Sequence, residues 1–214
     1  MGDNQQHWES VYQTKASDAV SWYRPHLDIS LALIERAAPD PNTAVLDVGG
    51  GASTLVDDLL ARGYRDLNVL DISAEALHVA RERLGKAADG VTWLTADLLD
   101  EPLQQARYGL WHDRAVFHFL THAEQRARYL RQLTRALKPG GHAVLATFGP
   151  QGPVKCSGLD TVRYDTEGLV RELGDGFTLI DSTLEFHATP FGTTQQFLYT
   201  LFQRAPHQYG EVIE

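Results

Sequence analysis

An α/β fold with a mostly parallel sheet is predicted by three features of this sequence. Short apolar runs alternate with segments of helical periodicity between residues 28 and 173. The run Val45–Val48 is followed by three consecutive glycines and then by the apolar-rich segment Leu55–Ala61, which is the pattern of a strand, a tight turn and a helix. Two alternating segments around Thr189-Pro190-Phe191-Gly192 predict an antiparallel hairpin that closes the sheet.

The same periodicity gives each element its place along the chain. Helical patterns occupy residues 28–37, 54–62, 74–84, 122–136 and 166–173. Strands are predicted at residues 44–48, 67–71, 91–95, 108–112, 141–147, 177–184 and 195–203. A single domain is expected over residues 1–214, because 43% hydrophobic residues suffice for a core on both faces of a sheet. Residues 40–203 form its core fold, and residues 1–38 are predicted to form an N-terminal helical cap.

The glycine turn and the acid that ends the next strand predict a site for a nucleoside cofactor. Glycines allow the backbone to turn with positive φ and to pass close beneath a ligand. In a βαβ unit an acid placed like Asp71 lies beside this turn and binds the hydroxyls of a ribose. A nucleoside-triphosphate loop is excluded, because no lysine follows the glycines. A dinucleotide fingerprint is disfavoured, because Thr54 stands where a small residue is needed.

The segment Asp47-Val48-Gly49-Gly50-Gly51-Ala52-Ser53 resembles motif I of the class I S-adenosylmethionine-dependent methyltransferases, with serine in place of the usual last glycine. Segments 70–73, 91–98 and 108–114 and the turn Leu137-Lys138-Pro139-Gly140-Gly141 resemble later motifs of that family in the same order. The resemblance covers roughly residues 40–200. It implies a Rossmann-like sheet of seven strands in the order 3-2-1-4-5-7-6, with helices on both faces. It also implies S-adenosylmethionine as cofactor and S-adenosylhomocysteine as product.

The resemblance further implies which residues bind the cofactor. Asp71 would hold the ribose and Ile72 would pack against the adenine. Asp97 would accept the adenine amino group and Leu98 would cover the ring. The remaining residues predicted for this site are Trp22, Arg24, Asp47, Gly49, Gly50, Gly51 and Asp113.

The cap segment is unusually rich in aromatic side chains, which are Trp8, Tyr12, Trp22 and Tyr23, and Arg24 follows them. One interpretation is a helix that docks its rings on the core. The other is a lid over the methionine end of the cofactor, where aromatic faces favour the sulfonium and Arg24 pairs with the carboxylate. The two interpretations are compatible.

The chemistry of methyl transfer demands little from a protein beyond alignment, exclusion of water and a deprotonated acceptor. Three residues near the carboxyl ends of the later strands are predicted to be catalytic, namely Asp113, His118 and Tyr164. Asp113 also fits an ion pair with Arg114, and His118 fits a core histidine as well as a general base. Cys156 fits a buried filler better than a nucleophile.

Composition and motifs disfavour several other functions. A net charge of −9 disfavours nucleic acid as a partner, because such affinity is built from lysine and arginine contacts. The segment after strand 4 lacks the N/D-P-P-Y motif of enzymes that methylate base amines. No metal is expected, because His112, His118, Cys156 and His187 match no compact ligand spacing. The sequence has no membrane span or signal-peptide core and one cysteine, so a cytoplasmic protein without membrane contact is expected. A monomer or a homodimer is expected.

The expected methyl acceptor is a small molecule, because no second recognition domain or long insertion exists to bind a macromolecule. Thiols and related compounds are included, since compact thiol methyltransferases have a similar aromatic cap. An enclosed acceptor pocket is expected to be lined by Phe117, His118, Phe148, Tyr164 and His187. The alternative is a protein-lysine methyltransferase, indicated by Trp22-Tyr23 and by a net acidic surface that suits a basic target. A non-catalytic nucleoside-binding protein is the third hypothesis.

Overall fold

The computed structural model describes residues 3–206, which form one seven-stranded sheet, a two-stranded ribbon and the helices on either side of the sheet. The helices are α1 (Asp3–Thr14), α2 (Asp28–Ala37), α3 (Leu55–Ala61), α4 (Ala74–Leu84), α5 (Ala123–Ala136) and α6 (Thr166–Leu173). The strands are β1 (Val45–Val48), β2 (Leu67–Asp71), β3 (Val91–Thr95), β4 (Tyr108–Arg114), β5 (Leu137–Phe148), β6 (Lys155–Cys156), β7 (Leu159–Asp160), β8 (Phe177–Ala188) and β9 (Thr194–Arg204).

The sheet has the strand order β3-β2-β1-β4-β5-β9-β8. Strands β1 to β5 pair in parallel, whereas β9 pairs antiparallel with both β5 and β8. The ribbon β6–β7 lies outside this sheet. When the seven sheet strands are numbered along the chain, their order is 3-2-1-4-5-7-6, so the predicted fold class is confirmed.

Local capping explains why the bounds of α4 and α6 match the prediction. The side chains of Ser73 and Asp165 each accept a hydrogen bond from a backbone amide in the first turn, at 3.1 and 2.7 Å. The helices end at Gly85 and Gly174, whose φ angles of +57° and +66° stop the helical backbone.

The core lies on both faces of the sheet, and alternate residues of each central strand enter different halves of it. Val45 packs with α2 and α3 on one face, whereas its neighbour Leu46 packs with α5 and α6 on the other. Every residue of β1 and β2 is buried. This double burial explains why the parallel strands appear in the sequence as continuous apolar runs.

The segment between β5 and α6 contains the ribbon β6–β7. Cys156 pairs with Leu159 across the ribbon. The two turn residues, Ser157 and Gly158, have φ angles of +50° and +81°. Two positive φ angles in a two-residue connection are typical of the tightest hairpin turns.

Three strands differ from their predicted bounds by more than one residue, namely β4, β5 and β8, and β8 extends to Ala188 rather than to residue 184. Strand β5 begins at Leu137 rather than at residue 141, because Leu137 already pairs with Tyr108 before an irregularity in the register. Strand β4 extends to Arg114, which pairs with Ala146 of β5. The hairpin β8–β9 forms as predicted: Gly192, with a φ of +77°, lies in its turn.

Two negative findings apply to residues 3–206. No helix in this range is both long and apolar enough to cross a membrane. Nowhere in this range do three His, Cys, Asp or Glu side chains lie together as the ligands of a metal ion.

Candidate active site

The carboxyl ends of β1, β2 and β4 face a cavity of about 400 Å³, which α1 and the segment after it also line. This is the edge at which ligands bind in open α/β sheets. Nine of the residues predicted to bind the cofactor line the cavity, namely Trp22, Arg24, Asp47, Gly49, Gly50, Asp71, Ile72, Asp97 and Leu98. Gly51 and Asp113 are not part of the lining.

The glycine turn after β1 is shaped by close contacts that exclude larger side chains. The amides of Gly49 and Gly50 both donate to the Leu70 carbonyl, at 2.7 and 3.2 Å, which ties the turn to β2. Gly49 has a φ of +63°, and a Cβ added there would lie 2.1 Å from a methyl carbon of Val116. A Cβ added at Gly50 would lie 2.5 Å from Asp47 Oδ2. The turn therefore keeps backbone, and no side chain, beneath the cavity.

Asp71 lies at the end of β2, as predicted, and only 6% of it is exposed. Its Oδ1 accepts a hydrogen bond of 2.8 Å from the amide of Ser73. Burial raises the pKa of the Asp71 carboxyl to about 7, the charges of Asp47 and Glu9 add to the rise, and the amides of Ser73 and Gly51 oppose it. The site thus holds a carboxylate that gains from further hydrogen-bond donors.

Asp47 belongs to a buried chain of three polar side chains. His112 Nδ1 lies 2.7 Å from Asp47 Oδ1, and His112 Nε2 lies 2.8 Å from the hydroxyl of Ser30 on α2. Both ring nitrogens of His112 are therefore occupied, although the ring lines the cavity. The chain holds the Asp47 carboxylate beneath Gly50. Ser30 is fully buried, and nothing in the sequence singled it out.

The segments that follow β2 and β3 also line the cavity. Ile72 and Leu98 contribute apolar surface, and Asp97 contributes a carboxylate. Asp97 Oδ1 accepts a hydrogen bond of 2.9 Å from the Leu99 amide. Among the described residues, Asp97 Oδ2 has no hydrogen-bond partner, so it is available to a ligand.

Helix α1 docks on the helix that follows Asp71. Glu9 accepts hydrogen bonds from the Ser73 hydroxyl at 3.0 Å and from the amides of Ala74 and Glu75 at 2.7 and 3.2 Å. These amides belong to the first turn of α4, where backbone N–H groups lack helical partners and attract negative charge. No local sequence pattern indicates this contact, because it joins residues that are 64 to 66 positions apart.

The aromatic residues of the cap pack on one another and also line the cavity. Trp8 meets Trp22 and Phe119 edge to face, with ring centres 5.9 and 5.2 Å apart. The Tyr12 hydroxyl faces the glycine turn, and a Cβ added at Gly51 would lie 2.9 Å from it. Burial raises the pKa of the Tyr12 hydroxyl well above its ordinary value. Tyr12 was noticed in the sequence only as one ring of the cap.

Arg24 lines the cavity, but its guanidinium forms an ion pair with Glu185 on β8. The ion pair joins the cap to the edge strand of the sheet. The side chain of Arg24 is 34% exposed, compared with 10% for that of Glu185. The charge expected to meet the cofactor carboxylate is thus already paired with a carboxylate of the chain.

Asp113, predicted to be catalytic and to contact the cofactor, lies behind the cavity wall. Its carboxylate accepts hydrogen bonds from the amides of Val116 and Phe117, at 2.9 and 3.1 Å, and from the Tyr129 hydroxyl at 2.6 Å. Burial raises the pKa of Asp113 to about 6. The alternative, an ion pair with Arg114, is wrong, because Asp113 instead holds the turn after β4.

His118 and Tyr164 also lie outside the lining of the cavity. His118 Nδ1 accepts a hydrogen bond of 3.0 Å from the amide of Phe148, and burial lowers the pKa of the imidazole to about 3. The ring is therefore neutral with its proton on Nε2, and it has no lone pair left to take a proton. Burial raises the pKa of the Tyr164 hydroxyl well above its ordinary value. The geometry supports no catalytic role for either side chain.

Beyond β4 the cavity continues into an aromatic compartment, which we define by Arg114, Phe119, Phe148, Cys156 and Phe197. Of the five residues expected to line an acceptor pocket, only Phe148 does so. The Cys156 thiol lies 3.9 Å from the Ser21 hydroxyl, and burial raises its pKa. Cys156 therefore packs as a neutral thiol in the wall.

A family model described as a methyltransferase domain matches residues 45–141. The match spans the glycine turn, Asp71 and Asp97, which are the residues that shape the cavity. Together with the strand order, the match shows that residues 45–141 form a methyltransferase domain with the fold of the class I S-adenosylmethionine-dependent methyltransferases. S-adenosylmethionine is the cofactor of this class.

Two curated relatives share the methyltransferase part of the chain. The biotin biosynthesis bifunctional protein BioHC of Cellvibrio japonicus is 32% identical over 108 residues, which are 50% of this chain and 20% of that protein. The eEF1A lysine and N-terminal methyltransferase of Mus musculus is 26% identical over 138 residues, which are 64% of this chain and 19% of that protein. The chain thus spans about a fifth of the length of these relatives.

Solved structures with the same fold cover nearly the whole chain. One comes from a study of the conversion of a disulfide bond into a thioacetal group during echinomycin biosynthesis. It has a TM-score of 0.75 and 18% identity, and the alignment covers 96% of this chain and 93% of that one. The 1,6-didemethyltoxoflavin-N1-methyltransferase of Burkholderia thailandensis, solved with 1,6-didemethyltoxoflavin and S-adenosylhomocysteine, has a TM-score of 0.70 and 18% identity, covering 94% and 87%. At these identities the likeness establishes the fold alone.

Proposed function

We propose that this protein transfers the methyl group of S-adenosylmethionine to a small-molecule acceptor and releases S-adenosylhomocysteine. One observation carries the proposal: side chains suited to the ribose, the adenine and the sulfonium of the cofactor line a single cavity, and an aromatic compartment adjoins them beyond β4. A donor and an acceptor can therefore meet in the same cavity.

The chain's own residues account for the adenosine half of the cofactor. Asp71 accepts hydrogen bonds from the ribose hydroxyls, and Asp97 Oδ2 accepts one from the adenine amino group. Ile72 and Leu98 cover the faces of the adenine with apolar surface. Because Asp71 is buried, hydrogen bonds to its charged form stabilise a carboxylate whose pKa is otherwise raised.

The methionine half fits the space between the glycine turn and the cap. S-adenosylmethionine supplies a methyl group that is already activated by its sulfonium charge. The rings of Trp8, Tyr12 and Trp22 line this side of the cavity and favour a cation electrostatically. They also keep water away from the reacting centre.

The protein has no need of a general base in this proposal. His118 has no free lone pair, and both ring nitrogens of His112 are engaged. The acceptor therefore enters deprotonated, and the protein contributes alignment and exclusion of water. A thiol or another group that is readily deprotonated near neutral pH satisfies this requirement.

A small acceptor is favoured over a lysine side chain by the composition of the aromatic compartment. A lysine channel needs acids to receive a cation, but Asp113 is occupied by three donors behind the wall. Asp160, which does line the cavity, is exposed and pairs with Lys155 at 3.2 Å. The structural relative that holds 1,6-didemethyltoxoflavin also supports a small acceptor. The curated eEF1A lysine methyltransferase supports the alternative.

We further propose that residues 1–214 act as one catalytic domain, with residues 40–203 as the core fold and residues 1–38 as a cap over the cofactor. The docking of α1 through Glu9 supports this division. The absence of a nucleic-acid partner and a monomeric or homodimeric state remain predictions from the sequence.

Transfer of a labelled methyl group tests the proposed function. The protein is incubated with radiolabelled S-adenosylmethionine and with the two fractions of a cell lysate separated by ultrafiltration. Label is expected in low-mass products of the filtrate, and the Asp71→Asn variant serves as a control with weakened cofactor binding. Label on protein bands alone would instead establish a protein methyltransferase. Calorimetric binding of S-adenosylhomocysteine without label in either fraction would establish a non-catalytic binding protein.

A further inference from the structure

Arg114, the last residue of β4, lines the cavity, and contacts with three neighbouring residues hold its side chain in place. Its Nε donates to the Tyr199 hydroxyl and its Nη1 to the Trp22 carbonyl, both at 2.9 Å. The guanidinium carbon lies 4.6 Å from the centre of the Phe197 ring. Three contacts in different directions leave the guanidinium plane little freedom.

The third nitrogen of this guanidinium is buried without a partner. Nη2 has no hydrogen-bond partner among the described residues, although Arg114 lines the cavity. A buried donor that is left unsatisfied costs about 1–3 kcal/mol, and more when it is charged. The guanidinium of Arg114 therefore gains from an anionic ligand in the cavity.

The charge of Arg114 is also incompletely balanced by the chain. The nearby Glu185 accepts a hydrogen bond of 3.0 Å from Tyr199, and it forms its ion pair with Arg24 rather than with Arg114. Two guanidinium groups thus share one carboxylate in this network. The charge of Arg114 also acts on two neighbouring histidines. Burial is the main cause that lowers the pKa of His118, and the charge of Arg114 lowers it further. Burial likewise lowers the pKa of His187, a hydrogen bond to the Ser21 backbone opposes the change, and the charge of Arg114 adds to the lowering.

The position of the guanidinium assigns it to the acceptor side of the cavity. Arg114 lies on β4, which is two strand intervals, or about 10 Å, from β2 and Asp71 in the order β2-β1-β4. Its side chain extends further in the same direction and reaches Tyr199 on β9. The guanidinium therefore lies on the β9 side of the cavity, away from the ribose end of the cofactor. The rings of Phe119, Phe148 and Phe197 line the space near Arg114.

We infer that Arg114 determines acceptor specificity: the acceptor carries a carboxylate that binds the Arg114 guanidinium, and an aromatic or other apolar body that packs against Phe148 and Phe197. Guanidinium groups favour carboxylates because the hydrogen bond is charge-assisted. Enclosed pockets of this kind combine mostly apolar walls with a few polar groups that fix orientation. The inference rests on the proposed function, because it names the acceptor class for the same site.

The test uses pairs of probes that differ in charge and match in shape. The full-length protein is saturated with S-adenosylhomocysteine and titrated by calorimetry with benzoate and benzamide, and with 2-naphthoate and 2-naphthamide. At least one carboxylate is expected to bind tenfold or more tightly than its amide. Arg114→Met should remove this preference, and Arg114→Lys should retain part of it. Arg36→Met, which removes a surface arginine, serves as a matched control and should preserve the preference.

Several results would overturn the inference. They are equal affinity of the carboxylate and the amide, no measurable carboxylate binding at millimolar concentration, and a preference that survives in a folded Arg114→Met variant. Loss of S-adenosylhomocysteine affinity in that variant, with its thermal unfolding unchanged, would assign Arg114 to the cofactor instead. If the wild-type protein fails to bind S-adenosylhomocysteine, the proposed function fails and the inference with it.

Discussion

Asp71 is buried beside two acidic residues, Asp47 and Glu9, and it is proposed to bind the cofactor. Its ionisation should therefore change both the stability of the protein and its affinity for the cofactor. The pKa of its carboxyl is raised from 3.8 to about 7. Between these pH values the folded protein keeps a proton that the unfolded chain has lost. The free energy of unfolding of the ligand-free protein therefore falls as the pH rises from about 4 to about 7, and the loss is complete above pH 7. Asp71→Asn should therefore stabilise the ligand-free protein at pH 8, and the gain should shrink as the pH falls towards 4.

The same substitution should weaken S-adenosylhomocysteine binding tenfold or more at pH 8, since each charge-assisted hydrogen bond contributes about 1.5–3 kcal/mol. Urea unfolding at several pH values and calorimetry measure the two effects. Asp89→Asn, at an exposed position, is the control. Unchanged affinity in a folded Asp71→Asn variant would show that Asp71 does not hold the ribose.

Site residues that lie at the ends of strands could be predicted from the sequence. Site residues that reach the cavity only through tertiary packing could not. Asp71, Ile72 and Asp97 follow strands whose carboxyl ends meet at one edge, so their position follows from topology. Ser30 and Glu9 reach the site from helices whose docking no local pattern encodes. Asp113 was assigned to the site because of its strand end, but the turn after β4 folds its carboxylate inward.

Among the described residues, the hydrogen bonds from α1 to α4 all run through the carboxylate of Glu9, and removing its charge should loosen the cap. Glu9→Gln keeps the shape of the side chain but weakens hydrogen bonds to three donors at a helix N-terminus. An effect of about 1.4 kcal/mol, or tenfold in affinity for S-adenosylhomocysteine, is expected. Proteolysis within residues 3–26 should also become faster, and addition of the ligand should slow it.

Gln13→Ala, on an exposed position of the same helix, is the matched control and should leave both measurements unchanged. Equal cleavage rates for wild type and Glu9→Gln, with and without ligand, would show that the aromatic rings alone hold the cap. That result would favour the interpretation in which Trp8 and Trp22 only pack.

The element bounds show which parts of a fold local chemistry determines. The bounds of α2, α4 and α6 agree with the predicted ranges because apolar periodicity and, for α4 and α6, capping residues are encoded nearby. The ribbon β6–β7 was not predicted, because two residues on each side of a turn give too short a pattern to recognise. The early start of β5 depends on the pairing of Leu137 with Tyr108, and no local sequence pattern indicates that contact.

The whole molecule should respond to the nucleoside as a single folding unit if the cap and the core both contact it. At a ligand concentration of one hundred times Kd, binding to the folded state alone adds about 2.7 kcal/mol of stability. For a chain of 214 residues this corresponds to an increase in Tm of roughly 5–11 °C. A thermal melt with S-adenosylhomocysteine, and with adenosine as a weaker control, measures the shift. Two separate transitions, of which only one moves, would contradict a single domain.

The docking of α1 beside Asp71 has a consequence for the timing of catalysis. Each turnover must replace one nucleoside by another, and α1 contributes part of the wall that surrounds the nucleoside. We therefore expect exchange to wait until the bonds of Glu9 to α4 break, so that the frequency of this opening sets an upper limit on the steady-state rate. A tighter contact would lengthen the residence time of the spent nucleoside, whereas a looser one would admit water to the methyl donor.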